Sequence, residues 1–321
     1  MDHISFGSLK VFCSTFEKLK LYKNNLDEHW GLKGQLKKGQ QTRVTNFTIN
    51  IMQFAFINNV RTKPFPNGRG TCPICGGDMI AKCGNRIIHH WAHIRETNCD
   101  PWWETETQWH RDWKNLFPED CREVSHMSID GEIHRADIKT PTGIIIEFQH
   151  SPISDRERIS REQFYGNLIW VVDGLRFKKN FDILHRLPAP NSEVAKDIVW
   201  FKAKRSLHGA SKGLFWRPSE NPDVDKSELP LVLIHSADTI QNLVDETYCG
   251  HHQYDWIRPH KTWQETTYPL YLDFGEDTLA RLETYGSNKL PCIRLITKRK
   301  FMHDVCTESI GKNIATRFYR F

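Results

Sequence analysis

The chain has 321 residues, is 39% hydrophobic and 26% charged, and carries a net charge of +5 with its histidines neutral. This composition is typical of a globular protein, and the mild basic excess permits a polyanionic partner without requiring one. No apolar run approaches the roughly 18 residues that span a bilayer. The N-terminal stretch MDHISFGSLK lacks the apolar core of a signal peptide. We therefore expect a cytoplasmic protein with no membrane partner.

Residues 1–63 form an N-terminal segment with little pattern, and residues 64–100 are rich in cysteine and histidine. Nine cysteines, an odd count in a chain without an export signal, favour reduced thiols and a metal over disulfides. Cys72 and Cys75 resemble a zinc knuckle, two thiolates on a turn followed by glycines, and His93 is the best third ligand. The fourth position is open to one of three residues: His89, at H-x₃-H spacing, Cys99 or His90. We expect structural Zn²⁺, since four protein ligands leave no place for water. The competing interpretation is a thioredoxin-like redox pair, which histidines at ligand spacing disfavour.

A helix is predicted from Trp102 to Phe117, with Pro118 ending it. Three tryptophans at helical spacing define its packed face: Trp102, Trp109 and Trp113. Glu106 falls on the same face, which is unusual for an acid, and His110 and Lys114 follow it at steps of four. The alternative is that Glu106, His110 and Lys114 form a ladder of attracting charges on the surface.

Three strands in a meander, a second helix and a further strand are predicted next. Their bounds are Cys121–Ser128, Glu132–Lys139, Gly143–His150, a helix from Ser154 to about Tyr165, and Leu168–Val172. Asp130-Gly131 is a strong hairpin turn, and Ser154 with Glu157 matches a capping box. The last strand can pair parallel to an earlier one through the helical crossover.

Two acids are predicted to face each other across the hairpin that turns at residues 140–143. Pairing the strands symmetrically about this loop sets Asp137 opposite Glu147, and Gln149 shares the face of Glu147. The apolar run Ile144–Ile146 indicates a strand buried on both faces. Because juxtaposed buried acids repel, we expect a hard divalent cation such as Mg²⁺ between them. The alternative is a solvated polar face.

Residues 179–228 form an irregular connector in which basic and aromatic residues alternate. Lys202, Lys204 and Arg205 are candidates for nucleic-acid contact, although a packed connector whose lysines face water is at least as good an interpretation. Residues 229–321 are predicted to be a small α/β accessory domain. Its predicted elements are a strand at Leu229–Ile234, a helix at Ala237–Glu246, a strand at Leu270–Phe274, a helix at Glu276–Tyr285 and strands at Cys292–Thr297 and Phe301–Val305.

From about Phe54 to Gly174, the chain resembles the CoiA-like competence family, a branch of the PD-(D/E)XK nuclease superfamily. The motifs that carry the resemblance are the C-x-x-C, HWAH at 90–93, E-T-x-x-H-x-x-x-K at 106–114, HRAD at 134–137, IEFQHSPIS at 146–154, REQFY at 161–165 and IWVVDG at 169–174. It implies an α/β fold with a restriction-endonuclease-like core, an αβββαβ mixed sheet at residues 101–178. The zinc-knuckle element precedes this core.

The resemblance also implies catalytic residues. Glu106, Asp137 and Glu147 match the three acids that hold one or two Mg²⁺ or Mn²⁺ ions. Gln149 stands where the superfamily usually has a lysine. A neutral amide can hydrogen-bond the attacking water but supplies no charge. Lys114 or Lys139 can take over that charge.

The leading interpretation is a divalent-metal-dependent endo- or exodeoxyribonuclease acting on single- or double-stranded DNA, linked to DNA uptake, recombination or antiviral defence. His110 and Arg161 are expected to orient Glu106 or touch a phosphate, and Arg135 is a further nucleic-acid contact. A recombination or defence protein is an expected partner. The alternative is a catalytically inactive DNA-binding or partner-recruiting protein of the same fold.

Overall fold

The structure, a computed structural model, describes residues 52–307 apart from positions 86, 96–98, 101, 103–105, 130, 206–212, 223–231 and 287. Every described residue belongs to one unit, Asn50–Phe321. Predictions for residues 1–51, and for the first part of the strand at 229–234, lie outside the described residues.

A small antiparallel sheet holds the segment rich in cysteine and histidine. Its strands are β1 (Ala55–Ile57), β2 (Val60–Thr62), β3 (Arg69–Thr71), β4 (Asp78–Lys82) and β5 (His90–His93). They are ordered β2-β1-β3-β4-β5. Met79 and Ala81, two apart in β4, are buried against the fully buried Trp91 of β5. The alternation of β4 thus gives this sheet one packed face.

A second, much larger sheet follows in the chain. The remaining strands are β6 (Arg122–Met127), β7 (Ile133–Lys139), β8 (Ile145–Gln149), β9 (Leu168–Asp173), β10 (Phe181–Arg186), β11 (Val199–Trp200), β12 (Leu214–Trp216), β13 (Ile234–Ser236), β14 (His251–Trp256), β15 (Leu270–Asp273), β16 (Thr278–Tyr285) and β17 (Leu290–Thr297). Nine of them form one mixed sheet in the order β10-β14-β17-β16-β15-β9-β8-β7-β6, while β11, β12 and β13 form a separate sheet.

Short helices connect these strands. They are α1 (Gln108–Lys114), α2 (Asp155–Tyr165), α3 (Glu193–Lys196), α4 (Gln241–Thr247), α5 (Lys261–Gln264) and α6 (Lys298–Thr307). Helix α2 is the crossover between the parallel strands β8 and β9. The observed order α1, β6, β7, β8, α2, β9 is the predicted order of helix, three strands, helix and strand. In the described part of the chain, no helix is long and apolar enough to cross a membrane.

The centre of the large sheet is buried on both faces. Every residue of β8 and β9 is buried. Ile146 and Phe148 pack with Trp113 on one side, whereas Ile145 and Trp170 belong to the cluster on the other. The predicted burial of the strand that carries Glu147 is therefore confirmed.

The C-terminal segment extends the same sheet instead of forming one of its own. Strand β15 pairs parallel with β9, and the pairs β15–β16, β16–β17 and β17–β14 are antiparallel. Strands β14–β17, assigned above to an accessory domain, therefore complete the sheet of the predicted core, whereas β13 pairs with β12 in the separate sheet.

Two secondary-structure predictions for this segment are wrong. The helix predicted at Glu276–Tyr285 is strand β16, and the strand predicted at Phe301–Val305 lies in helix α6. Strand β16 pairs with β17 over eight residue pairs, so that long-range pairing overrides the local helical pattern. In α6, Phe301 and Val305 are buried four residues apart, on one face of a helix.

Candidate metal centre and acidic cavity

Four candidate metal ligands meet beside the turn between β3 and β4. One ligand atom each from Cys72, Cys75, His93 and Cys99 lies within 4.8 Å of the other three. The Sγ atoms of Cys72 and Cys99 are 3.5 Å apart, and Cys75 Sγ lies 3.3 Å from His93 Nε2. The structure thus brings together the three predicted ligands and adds Cys99 as the fourth.

The two histidines that competed for the fourth position lie elsewhere. His89 is exposed, and its carbonyl oxygen accepts a hydrogen bond from Arg111 Nη2 at 3.1 Å. His90 is buried, with its Nδ1 2.7 Å from the Ile88 carbonyl oxygen. The H-x₃-H spacing brings two side chains together on a helix. In extended chain, four residues span about 13 Å, which separates His89 from His93 at the end of β5.

The local chain explains why the sulfurs converge. Gly76 has φ +70°, a conformation that favours glycine, and its N–H donates to the Cys72 carbonyl oxygen at 3.0 Å. The N–H groups of Ile74 and Gly77 point at the Cys72 and Cys75 sulfurs, each at 3.4 Å. A hydrogen bond from Cys99 lowers the pKa of the Cys72 thiol to about 5. Three sulfurs and one imidazole are a donor set that can hold a structural metal such as zinc.

A second polar site lies at the hairpin of β7 and β8. The strand pairs Ile138–Ile146 and Lys139–Ile145 place Asp137 opposite Glu147 one step further along. Both side chains line a cavity of about 30 Å³, room for one or two waters or a small ion. Ten residues line it: Asp100, Trp102, Glu106, His110, Lys114, Arg135, Asp137, Glu147, Phe148 and Arg161. Because Glu147 is buried, the interpretation of this pair as a solvated face is wrong.

Hydrogen bonds between side chain and backbone hold the two acids across the strands. The Asp137 N–H donates to Glu147 Oε1 at 3.2 Å, and the Phe148 N–H donates to Asp137 Oδ2 at 3.0 Å. Burial, together with the charge of Asp137, raises the pKa of Glu147 to about 8. The pKa of Asp137 is lowered because, against the effect of burial, the Lys114 ammonium stabilises its carboxylate. The two acids therefore differ in protonation near neutral pH.

Glu106 reaches the same cavity from a position ahead of the helix. Helix α1 begins at Gln108, six residues later than predicted, because Thr107 is its N-cap and forms a capping box with His110. Against the effect of burial, Lys114 and Arg111 lower the pKa of Glu106 to about 2. Of the three tryptophans, Trp109 and Trp113 donate their indole N–H groups to Asp273 Oδ2, at 3.0 and 2.8 Å. Trp102, outside the helix, stacks on a histidine ring of β7.

Lys114 is buried among three carboxylates. Its Nζ lies 2.9 Å from Asp137 Oδ1, 3.0 Å from Glu106 Oε1 and 3.2 Å from Glu123 Oε1. The side chains of Lys114, Glu106 and His110 are all at most 4% exposed, so the alternative of a surface ladder is wrong. These acids raise the pKa of Lys114, against the effect of burial.

Glu123, in β6, is a fourth acid that sequence reasoning missed. The pairs Arg122–Ile138 and Val124–Ala136 set it opposite Asp137 on the side away from Glu147. Its φ of +47° is unusual for a residue with a side chain, and such strain concentrates at functional sites. Three acids thus lie abreast on three neighbouring strands.

His110 contacts the backbone beside the acids. Its Nδ1 accepts the N–H of Thr107 at 3.2 Å, so its Nε2 carries a proton and donates to the Phe148 carbonyl oxygen at 3.0 Å. The ring thereby ties the start of α1 to β8 at the residue after Glu147.

Gln149 does not line the cavity, although it lies two residues after Glu147. Its Nε2 donates to the Ser151 carbonyl oxygen at 3.0 Å, because β8 ends at Gln149 and the chain turns there. Lys139 does not line the cavity either. Of the two lysines considered as substitutes for the missing charge, the structure brings only Lys114 to the acids.

The predicted nucleic-acid contacts fall into two groups. Arg135 and Arg161 line the cavity, where Arg161 is buried and donates to Glu147 Oε2 at 3.0 Å. Lys202, Lys204 and Arg205 are exposed on the connector and do not line the cavity, and Arg205 is paired with an aspartate of β10. Arg161 is therefore an internal partner of the acids and not a surface contact for phosphate.

Four further residues complete the site without having been singled out. They are Gln53, Asp100, Arg111 and Glu123. Asp100 accepts from the Arg135 N–H at 3.0 Å and binds the ring of His134 at 2.9 Å. The sequence feature that could have identified Asp100 as a site residue is its position directly after Cys99. Gln53 and Glu123 lie far from any motif, so only tertiary contacts identify them.

These observations define a mixed α/β protein with a large mixed sheet, a Cys₃His cluster and a separate acidic cavity. The family model described as the N-terminal domain of the competence protein CoiA matches residues 66–101. This match covers about a ninth of the chain and includes all four residues of the Cys₃His cluster. No curated protein and no solved structure matches the chain.

Proposed function

We propose that this chain is a divalent-metal-dependent nuclease of the PD-(D/E)XK type that hydrolyses phosphodiester bonds in DNA. The observation that carries the proposal is that Glu106, Asp137 and Glu147 line one cavity. They come from the start of α1, from β7 and from β8, within the order α1, β6, β7, β8, α2, β9. This is the arrangement that the resemblance implies for a restriction-endonuclease-like core.

Asp137 and Glu147 are the proposed ligands of Mg²⁺ or Mn²⁺, with Glu106 as a third, direct or through water. Oxygen donors of this kind suit a hard cation. When bound, the ion supplies a water of lowered pKa and polarises the scissile phosphate. The chain itself contributes acids fixed by backbone hydrogen bonds and a partly buried site that limits competing solvent.

Lys114 is the proposed source of the positive charge that the superfamily usually takes from the position of Gln149. Its Nζ already lies 2.9 Å from Asp137 Oδ1. An ammonium there can offset charge that develops on the phosphate. We accordingly assign to Lys114 the charge-stabilising role that the superfamily's lysine has at the position of Gln149.

The match to the CoiA N-terminal domain supports a role connected with competence. We propose that this role is DNA uptake and recombination, or defence against foreign DNA. In this proposal, the Cys₃His cluster holds structural zinc beside the cavity. The exposed Lys202 and Lys204 are candidate contacts for the DNA backbone.

The test is cleavage of single- and double-stranded DNA, with RNA as a further substrate, in Mg²⁺, Mn²⁺ or EDTA. We expect activity with either ion and none in EDTA. Asp137→Asn and Glu147→Gln should each lower kcat by at least about 100-fold, which corresponds to the loss of a group acting in the transition state.

The matched control is Glu283→Gln, which removes an acid that is also paired with arginines but lies outside the cavity. It should cleave like the wild type. Unchanged activity in both Asp137→Asn and Glu147→Gln would show that the reaction takes place elsewhere or comes from a contaminant.

A nucleic-acid-binding protein without catalysis is the second candidate, and one observation favours it. All three acids contact cationic side chains: Asp137 contacts Lys114, Glu147 contacts Arg161, and Glu106 contacts both Lys114 and Arg111. Such internal pairing removes the need for a metal to neutralise the site. Salt-dependent DNA binding that is unaffected by Mg²⁺, Mn²⁺ or EDTA, without cleavage products, would support this candidate.

A further inference from the structure

One buried glutamine, which precedes strand β1 of the small sheet, contacts two of the acids around Lys114. Gln53 is 5% exposed. Its side-chain Nε2 donates to Glu106 Oε1 at 2.8 Å, and its backbone N–H donates to Glu123 Oε2 at 2.9 Å. A single residue thus holds one acid from the start of α1 and another from β6.

The same residue is anchored to the sheet that carries the Cys₃His cluster. The preceding residue, Met52, exchanges two backbone hydrogen bonds with Trp91 in β5, at 2.8 and 3.1 Å. The Met52 Sδ lies 3.9 Å from Cys72 Sγ. A second link runs from Arg111, which is paired with Glu106, to the carbonyl oxygen of His89, the residue just before β5. Gln53 therefore contacts the acids directly, and its neighbour Met52 contacts the candidate metal ligand Cys72.

The chemistry of an amide makes this contact different from the others that Glu106 accepts. Lys114 and Arg111 bring a positive charge, which fixes the carboxylate but also neutralises it. The amide of Gln53 is neutral, so that it fixes the direction of the carboxylate and leaves its negative charge for a cation.

On this basis we propose that Gln53 is a positioning residue for the acidic cavity, through which the Cys₃His sheet sets the geometry of Glu106 toward a divalent cation. The inference rests on the proposed function, since it assumes that the cavity binds Mg²⁺ or Mn²⁺. Partners that orient ligating carboxylates commonly change metal affinity by about 10- to 100-fold.

The experiment measures Mn²⁺ binding by calorimetry on the full chain without nucleic acid, after zinc content and thermal unfolding have been recorded. Gln53→Met and Gln53→Leu both remove the side-chain donor and keep the backbone N–H that holds Glu123. Two variants are used so that the result does not depend on one of them folding. Gln253→Met is the control, because Gln253 is also buried and forms hydrogen bonds with Phe201 and Ala203 outside the cavity.

We expect the Kd for Mn²⁺ to rise about tenfold or more in the Gln53 variants, with wild-type zinc content. In cleavage assays kcat should fall while KM for DNA stays unchanged. Gln253→Met should bind Mn²⁺ like the wild type. An unchanged Kd in the Gln53 variants, or an equal rise in Gln253→Met, overturns the positioning role and leaves the proposed nuclease intact. A wild-type chain that binds no Mn²⁺ overturns both.

Discussion

Asp137 and Glu147 are neighbours across two strands, yet their environments shift their pKa values in opposite directions. Lys114 compensates Asp137, whereas Glu147 is buried and feels the charge of Asp137, which outweighs its contact with Arg161. The difference between two chemically similar side chains therefore comes from their neighbours. Such divergence is typical of sites that handle protons.

A pH dependence of stability follows for the metal-free protein. Glu147 has its ordinary pKa of 4.5 when unfolded and about 8 when folded, so the folded state binds more protons between these values. Its contribution to the free energy of unfolding is therefore full below about pH 4.5 and is lost as the pH rises toward about 8. Glu147→Gln should show a flatter profile over this range in urea unfolding.

Glu106 does not interfere with this measurement. Its folded pKa of about 2 lies below its ordinary value of 4.5, so its contribution changes only in more acidic solution. Equal slopes for the wild type and Glu147→Gln between about pH 4.5 and 8 would contradict the raised pKa of Glu147.

At the scale of single elements, helix α1 is short but positions three residues of the cavity. Its start is fixed by Thr107, whose hydroxyl accepts the N–H of His110 while the ring of His110 returns to the Thr107 N–H. Glu106 precedes the cap and Lys114 ends the helix. The cap therefore decides where both side chains reach the cavity.

We expect Thr107→Ala to destabilise the chain by about 1 kcal/mol, the usual cost of losing an N-cap hydroxyl. It should also reduce DNA cleavage, since His110 loses its contacts with the Thr107 hydroxyl. The measurement is urea unfolding together with the cleavage assay. Thr107→Ser keeps the hydroxyl and should behave like the wild type. Equal loss in both variants would mean that the methyl group, and not the cap, matters.

The small sheet has a core cluster of six buried residues, and a metal in the Cys₃His cluster would link the turn between β3 and β4 to Cys99. We expect about one zinc per chain by elemental analysis. Cys99→Ala should lower zinc content and the melting temperature, because it removes one of four ligands. His89→Ala should leave both unchanged, since His89 lies outside the cluster. Full zinc content in Cys99→Ala would contradict Cys99 as the fourth ligand, and loss of zinc in His89→Ala would restore His89.

At the scale of the whole molecule, the nine-stranded sheet joins segments that the sequence separates widely. Strand β15 lies directly beside β9, and Leu272 is fully buried in the cluster that contains Trp170. Asp273 on β15 also binds the indole groups of Trp109 and Trp113 in α1. The C-terminal segment therefore holds helix α1, which carries His110 and Lys114 of the cavity.

A chain shortened to end at residue 228 should not fold cooperatively. The loss of β14–β17 would expose β9 as a hydrophobic edge strand and leave two tryptophans without their acceptor. We expect weak near-ultraviolet circular dichroism and a broad thermal transition. A sharp transition with retained Mn²⁺ binding would instead support the independent accessory domain predicted from the sequence.

Local patterns were enough to predict the parts of the fold that depend on neighbours in the chain. The turn at residues 140–143 sets the register of β7 against β8 and so pairs Asp137 with Glu147. Since side chains alternate along a strand, this register also decides which face the two acids share. The C-x-x-C turn predicted two of the candidate metal ligands. The sequence predicts the start of helix α1 wrongly, because Trp102 and Glu106 continue the helical spacing ahead of the Thr107 cap.

What the amino-acid sequence determined by itself is the αβββαβ order of elements and the pairing of two acids across one hairpin. Tertiary structure alone decided that Cys99 and not His89 joins the cluster, that residues 278–285 form a strand, and that Gln53, Lys114 and Glu123 meet around the acids. The physical reason is the separation along the chain of the residues that interact. Periodicity and turns act over a few residues, whereas these contacts join residues up to 70 positions apart and form only when the sheets pack.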